Sequence, residues 1–291
     1  MLRQLMIPLL GVALLLPVMG ADAARRQKVR APVAAPAQAW PLGVRIFNYG
    51  KFQEDAWTHL PAIGVHYVFL SIPPADQVES LKKKLADHHL KALVMRGETD
   101  WTKPTAAAQL GVQLERAQRL GAKYIFLSVK FPGVAKEVIY PRLREAGDIA
   151  KKYGLTLVLE THPELGTNGD VHLETMKAVN HPNVRVNFDT GNVTFYNTGR
   201  DAVTELKKVL PYLATVEIKD HNGALKVWNF PPLGRGKVDI PGVIKVLKEA
   251  GFQGPVTLEI EGITGVERTE TQTKQDIADS VTYVRSLGTF E

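Results

Sequence analysis

Four times along the chain the same joint recurs: an amphipathic stretch ends, a glycine follows, and a short run of β-branched, aromatic and leucine residues begins. AIGVHYVFL (62–70), RLGAKYIFL (119–127), KYGLTLVLE (152–160) and EAGFQGPVTLE (249–259) all have this form. The joint reads as helix end, left-handed glycine, strand. Eight short apolar runs fit the strand side of the pattern: Gly43–Phe47, Tyr67–Ser71, Lys91–Met95, Tyr124–Val129, Leu155–Glu160, Val184–Asp189, Thr215–Lys219 and Val256–Glu261. Their near-continuous apolar character is that of strands buried on both faces. Between them Asp76–His88, Thr105–Leu120, Glu137–Tyr153, Val203–Leu210, Ile240–Ala250 and Gln272–Leu287 carry helical apolar spacing. Eight βα units in about 250 residues predict an α/β fold, a single (β/α)8 TIM barrel. An open doubly wound sheet would want a Gly-rich phosphate turn after its first strand. Here that strand runs into FNYGKF instead.

The first 41 residues do not share the pattern. Arg3 precedes an apolar run, Leu5–Gly20, and then Ala21-Asp22-Ala23. That is the layout of a secretory signal peptide, with cleavage expected near Ala23. The competing reading is a retained membrane anchor, but the run is short for a span and contains Pro8 and Pro17. Residues 24–41 are rich in Ala and Pro and hold Arg25, Arg26, Lys28 and Arg30 with no acid. They read as a disordered basic linker. Those four cations make up most of the net charge of +6, since Arg3 and Asp22 cancel. Residues 42–291, the barrel, keep only two, so the domain shows no strong nucleic-acid footprint. The expected setting is periplasmic or secreted, with no stable membrane span once the leader is removed. There is no cysteine, so a metal would have to be held by carboxylate, imidazole or amide groups.

In such barrels the chemistry sits at the C-terminal ends of the strands. Four consecutive strands place acids there: Glu160 on the fifth, Asp189 on the sixth, Glu217 on the seventh, Glu259 with Glu261 on the eighth. Carboxylates in buried apolar strands must be paired or metal-bound. One alone reads as a structural ion pair; four in succession point to a site.

The stretch LVLETHPELGTNGD…HPNVRVNFDTGNVTFY…VEIKDHNG…WNFPPLGRGKVDIPGVIKVLKEAGFQGPVTLEIEG resembles the sugar phosphate isomerase/epimerase superfamily, the xylose isomerase-like TIM barrels. The resemblance covers residues 42–288 and is densest after Leu155. It implies a divalent metal held by Glu, Asp, His and Glu at the ends of strands five to eight. Carried over, these are Glu160, Asp189, Glu217 and Glu259, with Glu217 where the family has histidine. An all-oxygen set suits Mg²⁺ or Mn²⁺ better than Zn²⁺. If Glu217 has cost the chain its metal, a non-catalytic carbohydrate-binding barrel is the competing reading; a metal moved to His221 is a third possibility.

The implied chemistry is isomerisation or epimerisation of a carbohydrate, or a lyase reaction beginning with the same proton abstraction beside a carbonyl. Glu160 and Glu259 are the candidate acid and base. His162, Asn192, Lys219, His221 and Trp228 are candidate substrate contacts, and Phe230 could stack beside Trp228. Arg45 and Lys130, at the ends of strands one and four, are weaker candidates for an anionic substrate. His59, His66, His88, His89 and His181 read as surface or packing residues. LGRG (233–236) reads as a turn before a helix start at Asp239. An endonuclease-like relative on the same barrel would need more histidines in the site. The sequence leaves the oligomeric state and the sugar open.

Overall fold

The computed structural model describes residues 39–291. The expected leader and nearly all of the expected linker lie outside the described residues. Among the described residues no helix is long and apolar enough to cross a membrane.

Eight parallel strands close into one barrel. They are β1 (Leu42–Arg45), β2 (Tyr67–Ser71), β3 (Val94–Arg96), β4 (Tyr124–Leu127), β5 (Thr156–Glu160), β6 (Val184–Asp189), β7 (Leu213–Lys219) and β9 (Val256–Glu259). β9 pairs with both β7 and β1, which closes the ring. Two short strands, β8 (Asn229–Phe230) and β10 (Gly262–Ile263), pair antiparallel and tie the loop after β7 to the loop after β9. The helices are α1 (Ala56–Ala62), α2 (Val78–Asp87), α3 (Ala106–Arg119), α4 (Lys136–Lys152), α5 (Gly169–Val179), α6 (Thr190–Tyr196), α7 (Ala202–Val209), α8 (Ile240–Glu249) and α9 (Glu270–Leu287). The glycines of the recurring joint, at 64, 121, 154 and 251, have φ between 64° and 86°.

Several helices start where a side chain takes up free amides. Asn168, Asp201 and Asp239 cap α5, α7 and α8, and Thr269 with Gln272 forms a capping box on α9. Each cap contributes about 1 kcal/mol. Trp40 and Pro41, read as linker, belong to the barrel. Trp40 is buried, exchanges backbone hydrogen bonds with Thr289 and Glu291, and donates its indole N–H to the Phe252 carbonyl at 2.7 Å.

The core has two parts. The larger lies between strands and helices and includes Leu42, Val44, Leu110, Leu143, Val186 and Leu247. The smaller, Phe69, Val94, Phe126 and Val158 on β2 to β5, forms a separate apolar cluster. On β6, β7 and β9 Asn187, Thr215, Glu217 and Thr257 form a buried polar cluster. Thr215 donates to Asn187 at 2.6 Å, and Asn187 and Thr257 donate to Glu217 at 3.2 and 3.3 Å. Arg45 bridges the two clusters. Its guanidinium lies 4.5 and 4.6 Å from the Phe69 and Phe126 ring centres and pairs with Glu217.

α5 buries a histidine. His172 is fully buried, with Nε2 3.1 Å from the Thr161 hydroxyl and Nδ1 without a partner. Burial pushes its pKa down to about 3 from 6.5. Below pH 6.5 the unfolded chain therefore takes up a proton that the folded chain refuses. The stability is fully present above that pH and falls by about 1.4 kcal/mol per pH unit as the pH drops toward 3. His172→Gln should remove this slope in urea denaturation between pH 7 and 4. The same slope in both proteins would contradict the assignment.

Candidate active site

The strand register assembles the acids. Glu160 lies beside Asn187, Asp189 beside Glu217, and Lys219 beside Glu259. One oxygen from each of Glu160, Asp189 and Glu259 falls within 4.8 Å of the others. In each carboxylate one oxygen is held by a hydrogen bond or a close ion pair. Asp189 Oδ1 accepts from the Asn192 amide at 2.9 Å. Glu160 Oε1 accepts from the Asn192 side-chain amide at 3.4 Å. Glu259 Oε1 lies 2.6 Å from Arg45 Nη1. Asp189 Oδ2 and Glu259 Oε2 are buried and accept no hydrogen bond. Leaving a buried carboxylate oxygen unsatisfied costs about 1–3 kcal/mol or more.

Two cations stand among these acids. Both oxygens of Glu217 accept from Arg45. Burial works against the Arg45 charge, but Glu217 and Glu259 outweigh it and raise its pKa. Burial pushes Glu217 up to about 7, with Arg45 the main opposing influence. The Lys219 ammonium pairs with Glu261, donates to Asn192 Oδ1 at 3.2 Å and lies 4.2 Å from the Phe230 ring centre. It also sits 3.2 Å from Glu259 Oε2 and 3.8 Å from Asp189 Oδ2. The 3.2 Å approach lacks hydrogen-bond geometry, so it is a charge contact and Oε2 still accepts nothing. Burial opposes the Glu259 charge, yet Arg45 and Lys219 together hold its pKa below the usual carboxylate value. Asp189 is held well above that value, first by burial, with Lys219 opposing and Glu259 adding. Five carboxylates thus face two cations. A divalent ion would offset the excess, and the two orphaned oxygens suit it as ligands. The residues present fit a hard cation on Glu160, Asp189 and Glu259.

A cavity of about 590 Å³ opens beside the acids, lined by Arg45, Glu259, Glu261, Arg96 and Trp228 among others. Its floor and walls come from strand ends and the loops that follow them. A cavity of about 440 Å³ at the strand starts has no acid in its lining.

Two sequence motifs turn out to be one structural unit. Asp220, the acid after Lys219, is buried and accepts four backbone amides, from His221, Gly234, Gly236 and Val238, at 2.8–3.2 Å. LGRG therefore wraps a carboxylate rather than a phosphate. A Cβ on Gly236 would lie 2.1 Å from Asp220 Oδ1, so only glycine fits there. Asp239 then caps α8 as expected.

A family model described as xylose isomerase-like TIM barrel matches residues 59–287. The chain belongs to the xylose isomerase-like TIM barrel family. Inosose dehydratase from Serratia proteamaculans is 26% identical over 133 residues, 40% of this chain and 45% of that protein. The chain thus matches less than half the length of that curated relative. D-psicose 3-epimerase from Clostridium cellulolyticum, solved with D-tagatose, shares the fold at 16% identity and TM-score 0.70, covering 85% of this chain and 99% of that one. The IOLI protein, solved with a bound zinc atom, shares it at 20% identity and TM-score 0.67, covering 84% and 98%.

Within this xylose isomerase-like barrel the expected site residues do not all converge. Glu160, Asp189 and Glu259 come together, with Asn192 and Lys219 among them. Glu217, expected as the fourth metal ligand, is not brought into the group. Both its oxygens are taken by Arg45, and Asn187 and Thr257 add further hydrogen bonds. His221 is buried with both ring nitrogens occupied: Nδ1 2.8 Å from the Thr194 hydroxyl, Nε2 3.0 Å from the Val227 carbonyl. It pins the loop after β7 to α6. His162 is half-buried, stacked edge-on to Tyr196 and bonded to the Pro163 carbonyl. Trp228 lines the cavity and is 45% exposed.

Sequence reasoning passed over Tyr196 and gave Arg45 too small a part. Tyr196 stacks edge-on against His162, two residues past Glu160, and burial and the charge of Glu160 raise its pKa. Its position in DTGNVTFY, seven residues past Asp189 on α6, was the available signal. Arg45 had one signal, an isolated cation at the end of a buried strand.

Proposed function

We propose that this chain is an exported carbohydrate isomerase or epimerase that moves a proton at the carbon beside a carbonyl. The carrying observation is the convergence of Glu160, Asp189 and Glu259, with Asp189 Oδ2 and Glu259 Oε2 buried and accepting no hydrogen bond. The fold neighbours that act on sugars and the dehydratase relative support the same chemistry, which also admits a lyase outcome. Those three carboxylates would hold a divalent cation, Mn²⁺ or Mg²⁺ in preference to Zn²⁺. When bound, such an ion polarises the carbonyl and neighbouring hydroxyl oxygens of the substrate.

The chain's own groups do the rest. Glu160 on β5 and Glu259 on β9 approach from strands separated by β6 and β7. One carboxylate removes the proton and the other, or the same one, returns it. Arg45 and Lys219 keep Glu259 ionised and able to accept. Asn192 orients Glu160 and Asp189 together through its side-chain and backbone amides. Lys219 stands where its ammonium can donate to a substrate oxygen as negative charge develops. Phe230 packs against the Lys219 ammonium, and Tyr196 lies edge-on to His162.

The Arg45–Glu217 pair favours one other reading, a carbohydrate-binding barrel without turnover, because it occupies the position of the family's histidine ligand. NMR of ketoses and aldoses incubated with the protein in D2O with Mn²⁺ separates the two. The proposal expects deuterium beside the carbonyl and a new isomer, with Glu160→Gln slowing exchange about 10²–10⁴-fold. Sugar binding with neither exchange nor a new isomer in the wild-type protein would establish the binding-only reading.

A further inference from the structure

The cavity lining combines the buried charges of Arg45 and Glu259 with an exposed rim on which Phe47, Trp228 and Val266 stand beside Lys51, Glu261 and Glu267. Phe47, Trp228 and Val266 are 44%, 45% and 48% exposed. The other three tryptophans, Trp40, Trp57 and Trp101, are at most 5% exposed. Three exposed apolar side chains thus share the lining of one cavity with buried charges, a grouping of the kind that marks a binding groove.

Trp228 is held firmly in place. It directly precedes β8, and its carbonyl accepts from the Thr264 amide at 3.1 Å, next to the β8–β10 pairing. Phe195 and Phe230 meet its ring edge to face, at 88° and 85°, with centroids 5.9 and 5.2 Å away. Phe230 in turn carries Lys219 over its ring, and Lys219 touches Glu259. Only Phe230 and Lys219 thus separate the exposed ring from the proposed reacting carboxylate. A sugar ring has apolar faces and polar edges, and here apolar and charged groups share the walls of one cavity. A hydrophobic partner helix, or an obligate interface with a second copy, would want an apolar patch without those charges. The volume of about 590 Å³ lies within the roughly 300–1,000 Å³ range of small-molecule clefts.

We propose that the outer part of this cavity is a subsite for a second ring, so that the substrate is a glycoside whose reacting sugar keeps a carbonyl, as a keto group or an openable reducing end, rather than a free monosaccharide. This rests on the sugar-converting reading above and specifies its substrate. Trp228 stacks on the ring attached to the reacting sugar, with Phe47 and Val266 flanking it.

Trp228 is also the reporter. The full chain is titrated with D-fructose and D-glucose, and with sucrose, maltose and phenyl β-D-glucoside, following tryptophan fluorescence and calorimetry. The glycosides should quench and blue-shift the emission and bind at least tenfold tighter than the monosaccharides. In Trp228→Ala, and in Phe47→Ala, the calorimetric ratio of glycoside to monosaccharide affinity should fall toward one. Equal affinities in the wild-type protein would overturn the subsite and leave the isomerase reading intact. Absence of any sugar binding, together with absence of deuterium exchange, would overturn both. A concentration-dependent dimer that Trp228→Ala dissociates would show that the rim seats a second copy, and would overturn the subsite.

Discussion

Arg45→Leu should destabilise the barrel by about 3–5 kcal/mol, the cost of stranding one partner of a buried ion pair. For a domain of this size that is a fall of roughly 6–20 °C in Tm. The substitution removes the one cation bound to both oxygens of Glu217, fully buried on β7. Asn187 and Thr257 remain as donors, but neither carries charge. Glu217 must then take up a proton, and the raised folded pKa sets the sign. The variant is least impaired below the unfolded carboxylate pKa and loses stability as the pH rises through the folded one. The deficit should therefore be larger at pH 8 than at pH 5. Arg45→Leu combined with Glu217→Leu should recover most of the loss, because an apolar replacement for a buried pair is often neutral or stabilising. Urea denaturation of the single and double variants measures this. A single variant within about 0.5 kcal/mol of wild type would show that the pair does not hold the barrel interior together.

The pair also explains how far sequence reasoning reached. The barrel was legible because its joints repeat, and β2 and β6 begin and end where the β-branched runs do, Tyr67–Ser71 and Val184–Asp189. The first strand stops at Arg45, short of the expected Phe47, because a 3-10 segment over Ile46–Asp55 carries the chain away from the sheet, with Gly50 at φ 53°. β3 starts at Val94 rather than Lys91, and β8 and β10 are too short to leave a periodic signal.

Acids at strand tips identified Glu160, Asp189 and Glu259, but the same argument could not set Glu217 apart. What does so is a partner 172 residues away on β1, and closure of the ring, not local pattern, makes them neighbours. His221 misled in a similar way. A histidine after a strand end suggests a ligand, yet both its nitrogens are used by Thr194 and by the loop that it anchors. His172 left no comparable sign, since the segment that forms α5 was not among the expected helices.

The account rests on three carboxylates, not four, forming the reacting centre. Calorimetric titration of the purified protein with Mn²⁺ tests this most directly, using wild type, Glu160→Gln, Asp189→Asn and the Arg45→Leu/Glu217→Leu double variant. The prediction is one ion per chain in the wild type, and a loss of more than about 100-fold in affinity for Glu160→Gln and Asp189→Asn. That exceeds the 10- to 100-fold typical of groups that only support a ligand. The double variant should stay within the range of such supporting groups, since Arg45 also contacts Glu259. Binding that survives in Asp189→Asn but disappears with Glu217 would contradict the account and return Glu217 to the metal.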